Sequence, residues 1–316
     1  MRNTTSDSTR GGAAAVLRVL AILALIALLS AAGAQEAAEP DERPLVVTTF
    51  TVLEDLAARV AGEHLRVVTL APVGAEIHEW ELNPRNFVDL ENASLVLYNG
   101  YNIEQWMGQA RSTAASDVPF VPVAEETGAA PLPIILGDFE GDPDPHLWMD
   151  PRLAVQYLEV IRNAFIELDP DNTAAYEQNA AEAIAELEDL YNELQDALAV
   201  IPDERRVMIT SEAAFLYFAE AFDLEHEGIW GTNHEEEGSP DQIQRVIDLV
   251  RESGVEVVFY ESTISDRHVR AVAEDTGATV AGPLYVDSVS EPDGEAPDYA
   301  AMLRHNAELL AEYLAR

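Results

Sequence analysis

The chain has 316 residues, 48% of them hydrophobic and 24% charged, enough for one large or two medium globular domains with proper cores. Acids outnumber bases 58 to 18, every base being arginine, for a net charge of −40. Nucleic acid and anionic membrane surfaces need a basic face and are excluded as partners; the absence of cysteine excludes disulfides, thiolate ligands, a cysteine nucleophile and a lipid-bearing N-terminal cysteine.

Arg2, Arg10 and Arg18 precede the apolar run "VLAILALIALL" (Val19 to Leu29), and Ala32-Gly33-Ala34 follows as a small-residue A-x-A site. This is the layout of an export signal over residues 1–34, cut after Ala34. The run is short for a membrane span. The mature chain is therefore expected to act outside the cytoplasm, periplasmic or otherwise extracytoplasmic, without a lipid anchor on cysteine; a leader retained as an anchor is the alternative.

Strands and helices then alternate. "LVVTTF" (Leu45 to Phe50) reads as a buried strand and "TVLEDLAARVAG" as a helix closed by Gly62. "LRVVTLAPV" is a second strand, "NPRNFVDLENA" a short helix and "SLVLYNG" a third strand. A loop rich in Gly, Pro and Asp (Gly137 to Pro145) leads into a helix after Pro151. From Asp171 to Val200 the chain runs without Gly or Pro, about 45 Å of helix at 1.5 Å per residue. Tyr176, Ile184, Leu187, Leu190, Tyr191, Leu194 and Leu198 give it an apolar stripe, which suits a single amphipathic helix against a core; half of a coiled coil is the other option.

The alternation restarts with "RRVMIT" as a strand and "EAAFLYFAEAF" as a helix. A helix capped by Ser239 with Pro240 in its first turn follows, then the strand "VEVVFYE", a helix ending at Gly277, the strand "ATVAGPLYV" and a closing helix. The expected fold is α/β: two lobes, residues 36–167 and 203–316, each with a mostly parallel sheet flanked by helices, bridged by one long helix within 168–202.

Open parallel sheets bind ligands at the carboxyl ends of their strands. Four candidate ligands lie just after strands or in the loops that follow: His78 in "GAEIHEWELNP", His146 in "DPDPHLWMDP", Glu212 after "RRVMIT" and Asp287 after "ATVAGPLYV". Each has a plain alternative. Ser211 can cap the next helix with Glu212 as a first-turn acid, Asp287 can close a turn, and a lone histidine is more often a satisfied imidazole.

"GAEIHEWELNP", "YNGYNIEQWM", "DPHLWMDP", "TSEAAFLYFAEAFDL", "NHEEEGSPDQI", "YESTISDR" and "YVDSV" occur in that order. In them the chain resembles the zinc/manganese-type solute-binding proteins of ABC importers, from about Leu45 to the C-terminus. The resemblance implies two α/β lobes joined by a rigid helix and a divalent cation held by His78, His146, Glu212 and Asp287. It also implies delivery to a cognate membrane permease by a monomeric receptor with small lobe movements. Two departures stand out: Glu76-Ile77 replaces the usual Asp-Pro before the first histidine, and His234 is an extra histidine, read as a polar loop residue rather than a fifth ligand.

Zinc-preferring members carry histidine where Glu212 stands, and often a histidine-rich loop near the second ligand. Two imidazoles with two carboxylates cancel a divalent charge and offer hard oxygen donors, so Mn(II) ranks first, Fe(II) second and Zn(II) as a tight competitor. A metal-dependent hydrolase is the main rival, but "IHEWE" lacks the second histidine of H-E-x-x-H and no G-x-S-x-G occurs. An organic-solute receptor would use the faces of Trp80, Trp106, Trp148 and Trp230. An adhesin or purely structural surface protein is the third reading, as a role additional to the others.

Overall fold

The computed structural model describes residues 41–232 and 238–316. The expected leader over 1–34 and His234 lie outside the described residues. Arg43–Arg316 form one compact unit.

Its first half is a four-stranded sheet of order β2-β1-β3-β4, parallel throughout, built from β1 (Leu45–Thr48), β2 (Arg66–Thr69), β3 (Leu95–Tyr98) and β4 (Phe120–Pro122). Between them run α1 (Thr51–Ala61), α2 (Pro84–Glu91) and α3 (Met107–Thr113), with α4 (Val123–Glu126) after β4. β1 is buried along its whole length, as its unbroken apolar run requires in a sheet covered on both faces. The helix boundaries are chemical. Asn83 accepts from the N–H groups of Arg85 and Asn86 and forms a capping box ahead of Pro84, while Gly62 ends α1 at φ 54°.

The second half carries two parallel strand pairs: β5 (Val207–Glu212) with β6 (Glu225–Trp230), and β7 (Val257–Glu261) with β8 (Thr279–Leu284). Strand β5 also packs beside β7. Helices α7 (Leu216–Ala221), α8 (Pro240–Ser253) and α9 (Arg267–Thr276) flank them. Ser239 and Gln242 make the capping box of α8, and Gly254 and Gly277 close α8 and α9 at φ 71° and 82°.

Helix α5 (Pro151–Leu168) leads through a 3-10 turn at Pro170–Asn172 into α6 (Thr173–Leu198), 26 residues or about 39 Å long. Helix α6 is the long bridge. It packs on α1 and α5 on one side and on α10 (Tyr299–Leu314), the last helix, on the other. Tyr176, Ala180, Ala183, Leu187, Leu190, Leu194 and Leu198 form its buried stripe, so its apolar face is used within the chain and not in a coiled coil. One apolar core runs through both halves, from Phe50, Leu53 and Phe165 to Phe215, Phe259 and Tyr299. A continuous core and a stiff bridging helix oppose wide hinge motion.

The sequence-level placement of Glu212 in the first turn of a helix is corrected. Glu212 is the last residue of β5, paired with Trp230, and α7 begins only at Leu216 with Phe215 at its N-cap. Ser211 does not cap; its N–H is taken by Glu261. Strand β6, with Glu225, His226 and Glu227 at its start, is absent from the sequence-level element list, and its pairing is what extends β5 to Glu212.

Candidate metal centre

The four candidate side chains come together, all buried. His78 Nε2 lies 3.6 Å from Glu212 Oε1, and His146 Nε2 lies 4.0 Å from the same oxygen and 3.9 Å from Asp287 Oδ1. The two imidazole centroids are 5.8 Å apart. One ligand atom each from His78, His146 and Asp287 falls within a mutual 4.8 Å. The first half supplies the two histidines and the second half the two carboxylates.

Each residue is placed by its neighbours. The His78 N–H donates to Glu76 Oε1 at 2.9 Å, and the preceding Ile77 is fully buried with its carbonyl accepting from Trp106 Nε1 at 2.8 Å. Burial of Ile77 and the indole bond restrain the loop that proline would otherwise stiffen. The His146 N–H donates to Asp144 Oδ1 at 2.8 Å, and the same oxygen is 2.9 Å from His146 Nδ1. A carboxylate there accepts a hydrogen bond from Nδ1–H and leaves the Nε2 lone pair facing Glu212 and Asp287, the tautomer a metal needs. Pro145 O accepts from Asn99 Nδ2, and Tyr157 OH donates to Asn99 Oδ1.

Asp287 follows β8 on a loop tied to the first half: Trp148 Nε1 donates to Val286 O at 3.0 Å, and Ser288 Oγ accepts from Gly74 N at 2.8 Å. Among the described residues, both buried oxygens of Asp287 accept no hydrogen bond and His146 Nε2 has no hydrogen-bond partner. Burial, with Glu76 and Glu261 nearby, pushes the Asp287 carboxyl well above the usual aspartate range. A cluster of this kind is costly without a cation and satisfied with one.

Besides Asp144, sequence reasoning missed the buried acids Glu261 and Glu104. Glu261 ends β7 as Glu212 ends β5, and accepts from the N–H groups of Ser211 and Glu212; burial pushes its carboxyl up to about 7. Its position directly after an apolar strand was the available signal. Glu104 accepts from Thr49 Oγ1 at 2.7 Å, Asn99 N at 2.6 Å and Gly100 N at 3.2 Å, joining the ends of β1 and β3 behind the His146 loop. Desolvation raises it from 4.5 to about 7 against the pull of those donors.

The Glu104 shift gives a signed expectation. A folded value above the unfolded one means its contribution is whole below about 4.5 and lost as pH rises to about 7. The stability gap between the parent and Glu104→Gln should therefore narrow over that window, by roughly 3 kcal/mol at 1.36 kcal/mol per unit. Urea unfolding of chelator-treated protein at both ends of the window checks it, and a constant gap would contradict it.

The four tryptophans are occupied elsewhere. Trp148 and Trp230 are fully buried, Trp106 Nε1 binds Ile77 O and Trp80 Nε1 binds Asn86 Oδ1. They form no stacking platform for an organic solute.

Comparison with known proteins gives the family and the fold. An iron-binding protein of Yersinia pestis, YfeA, is 39% identical over 267 residues, covering 84% of this chain and 85% of that protein. A manganese-binding lipoprotein of Halalkalibacterium halodurans, MntA, is 35% identical over 280 residues, 88% and 91% of the two chains. Among solved structures, a Mn-bound periplasmic metal-binding protein (S38A mutant) of Candidatus Liberibacter asiaticus superposes with TM-score 0.79 at 30% identity, over 86% of this chain and all of that one. The periplasmic zinc-binding protein TroA of Treponema pallidum gives 0.80 at 26% identity, over 87% and 100%. The hydrolase alternative gains no support from these relatives. With the family described as "ZnuA: Zinc-uptake complex component A periplasmic" matching residues 46–313, the chain belongs to that family of metal-binding solute-binding proteins.

Proposed function

We propose that this chain captures one Mn(II) ion between its two halves through His78, His146, Glu212 and Asp287 and hands it to a membrane permease. As a member of its family it is a substrate-binding protein of a metal ABC importer and not an enzyme. The observation that carries the ligand assignment is the cluster of His78, His146 and Asp287 within a mutual 4.8 Å, with Glu212 Oε1 3.6 Å from His78 Nε2 and 4.0 Å from His146 Nε2. Two carboxylates neutralise a divalent ion, and Glu212 in place of a third imidazole favours a hard ion that takes extra oxygen donors. Fe(II) fits next, and Zn(II) competes because intrinsic affinity runs in its favour.

The chain acts as a monomer outside the cytoplasm, and no helix among the described residues is long and apolar enough to cross a membrane. It contains no cysteine, so the lipoprotein description of several relatives is not carried over. The half-to-half ties at Trp148–Val286 and Gly74–Ser288 restrict loading and release to small loop and lobe shifts, enough for a permease that contacts the two forms differently.

Calorimetric titration of Mn(II) into chelator-stripped protein, in salt high enough to screen the acidic surface, tests this reading. One saturable site is expected. Weak, multi-site, salt-sensitive heat alone would refute it.

A further inference from the structure

The backbone of Glu212 is held on both sides of its Cα. On the N–H side, Glu261 accepts from Glu212 N with Oε1 at 3.0 Å and from Ser211 N with Oε2 at 3.2 Å. On the carbonyl side, Thr210 Oγ1 donates to Glu212 O. A hydroxyl has one hydrogen, so His226 Nε2, 2.8 Å away, donates to Thr210 Oγ1, which fixes the histidine tautomer. Thr210, Glu212 and Glu261 are fully buried and His226 is 7% exposed. From the third side Gly228 lets β6 close on this segment: a Cβ there would lie 2.5 Å from Ala213 N and 2.8 Å from Glu212 C.

Strands β5 and β7 lie side by side but belong to different hydrogen-bonded pairs. At their carboxyl ends the Glu261 carboxylate supplies the join, bonded to two consecutive N–H groups. Burying a carboxylate costs several kcal/mol, and an apolar side chain would fill the same volume without that cost. The carboxylate delivers something an apolar residue would not: a fixed backbone at the residue that points into the metal centre.

We propose that Glu261 is a positioning residue for the metal centre, gripping the Ser211–Glu212 backbone so that the Glu212 carboxylate meets the ion at one set distance and angle. This rests on the reading of Glu212 as a ligand. A held Glu212 can offer both oxygens to a larger ion of high coordination number, while Zn(II) is content with four ligands and one of those oxygens. Loosening the grip should weaken Mn(II) more than Zn(II).

The test compares the parent, Glu261→Gln and Glu212→Gln. Its readouts are the Mn(II) and Zn(II) dissociation constants, the melting temperature of the metal-free protein and the electron paramagnetic resonance spectrum of bound Mn(II). Glu261→Gln is isosteric but turns an amide toward one of the two backbone N–H groups. It should lose about 10- to 100-fold in Mn(II) affinity, the range for residues that orient metal ligands. Zn(II) should lose less than about threefold, and the Mn(II) spectrum should broaden.

Equal losses for both metals, or unchanged constants with an unchanged spectrum, overturn the proposal. Should Glu261→Gln fail to fold, Glu261→Asp withdraws the carboxylate by one methylene, and the same Mn(II)-over-Zn(II) split is required of it. Unchanged Mn(II) binding in Glu212→Gln, or none in the parent, would instead sink the ligand reading itself, and the proposal with it.

Discussion

Asp287→Asn is expected to raise the melting temperature of the metal-free protein and to remove most of its stabilisation by Mn(II). Asp287 is 1% exposed, and among the described residues neither of its carboxylate oxygens accepts a hydrogen bond. Ionised, it is an uncompensated buried charge; protonated, it holds a proton that the unfolded chain releases at neutral pH. Both states cost the native fold. Asparagine keeps the shape and removes the charge, which should recover about 1–3 kcal/mol, or roughly 2–6 °C for a domain of this size.

In the loaded protein the sign reverses. Losing one charged ligand should cost about 2–5 kcal/mol of binding, by analogy with truncated buried charge pairs. Stabilisation by ligand follows RT ln(1 + [L]/Kd), about 4 kcal/mol at a thousandfold excess over Kd, and most of that disappears when Kd rises by two to three decades. Calorimetric melts in chelator and in excess Mn(II) read both effects. A lower metal-free melting temperature, or a metal shift of parental size, would contradict the role given to Asp287. Opposite signs in the two states are what separate a ligand from a structural acid.

Much of this centre is legible from the chain because most of its ligands follow strands. Burial of "LVVT" and "VVFYE" on both faces makes these runs easy to place, and the residue after a parallel strand is the one that faces the crevice. Glu212 ends β5, Asp287 lies just past β8 and His78 lies in the loop after β2, whereas His146 stands in the loop ahead of α5 and is legible through its D-P-H motif. The local context of Glu212 misleads, since Ser-Glu before an apolar helical pattern has the form of a helix start. What overrides it is tertiary: β6 pairs with β5 as far as Trp230, and Glu261 accepts from the N–H groups of Ser211 and Glu212, which holds them as strand end rather than helix start.

Strand β6 itself, "EHEGIW", hides behind two acids, a histidine and a glycine, a composition that weakens strand propensity; the pairing and the close approach at Gly228 make it a strand. Asp144 and Glu76 were readable as a pair only after the fact. Each stands two residues before its histidine and accepts that histidine's N–H. The three short elements that lay outside the periodic pattern, α3, β4 and α4, have at most seven residues each, too few to show a period.

Trp148→Ala is expected to be the most damaging single change in the core. The indole is fully buried, packs on Phe50 at 5.0 Å and lies 5.2 Å from the His146 ring. Its removal should cost about 3–5 kcal/mol through the cavity alone. It also leaves Val286 O without its indole donor, about 1–3 kcal/mol more where that carbonyl stays dry. Denaturant unfolding measures the sum, and a loss below about 1 kcal/mol would show that the surroundings collapse into the gap.

Trp148→Phe separates the two roles. It keeps most of the apolar volume and deletes only the N–H that ties the loop of Asp287 to the segment bearing His146. Stability should fall by the smaller amount, while Mn(II) affinity falls about tenfold, the low end for residues that orient metal ligands. Unchanged affinity would mean that the remaining ties, Gly74 and Thr51 to Ser288 and Val289 to Thr51, hold Asp287 in register with the histidines. A tenfold loss would place the coupling between the two halves at the indole, two residues from one ligand and bonded one residue from another.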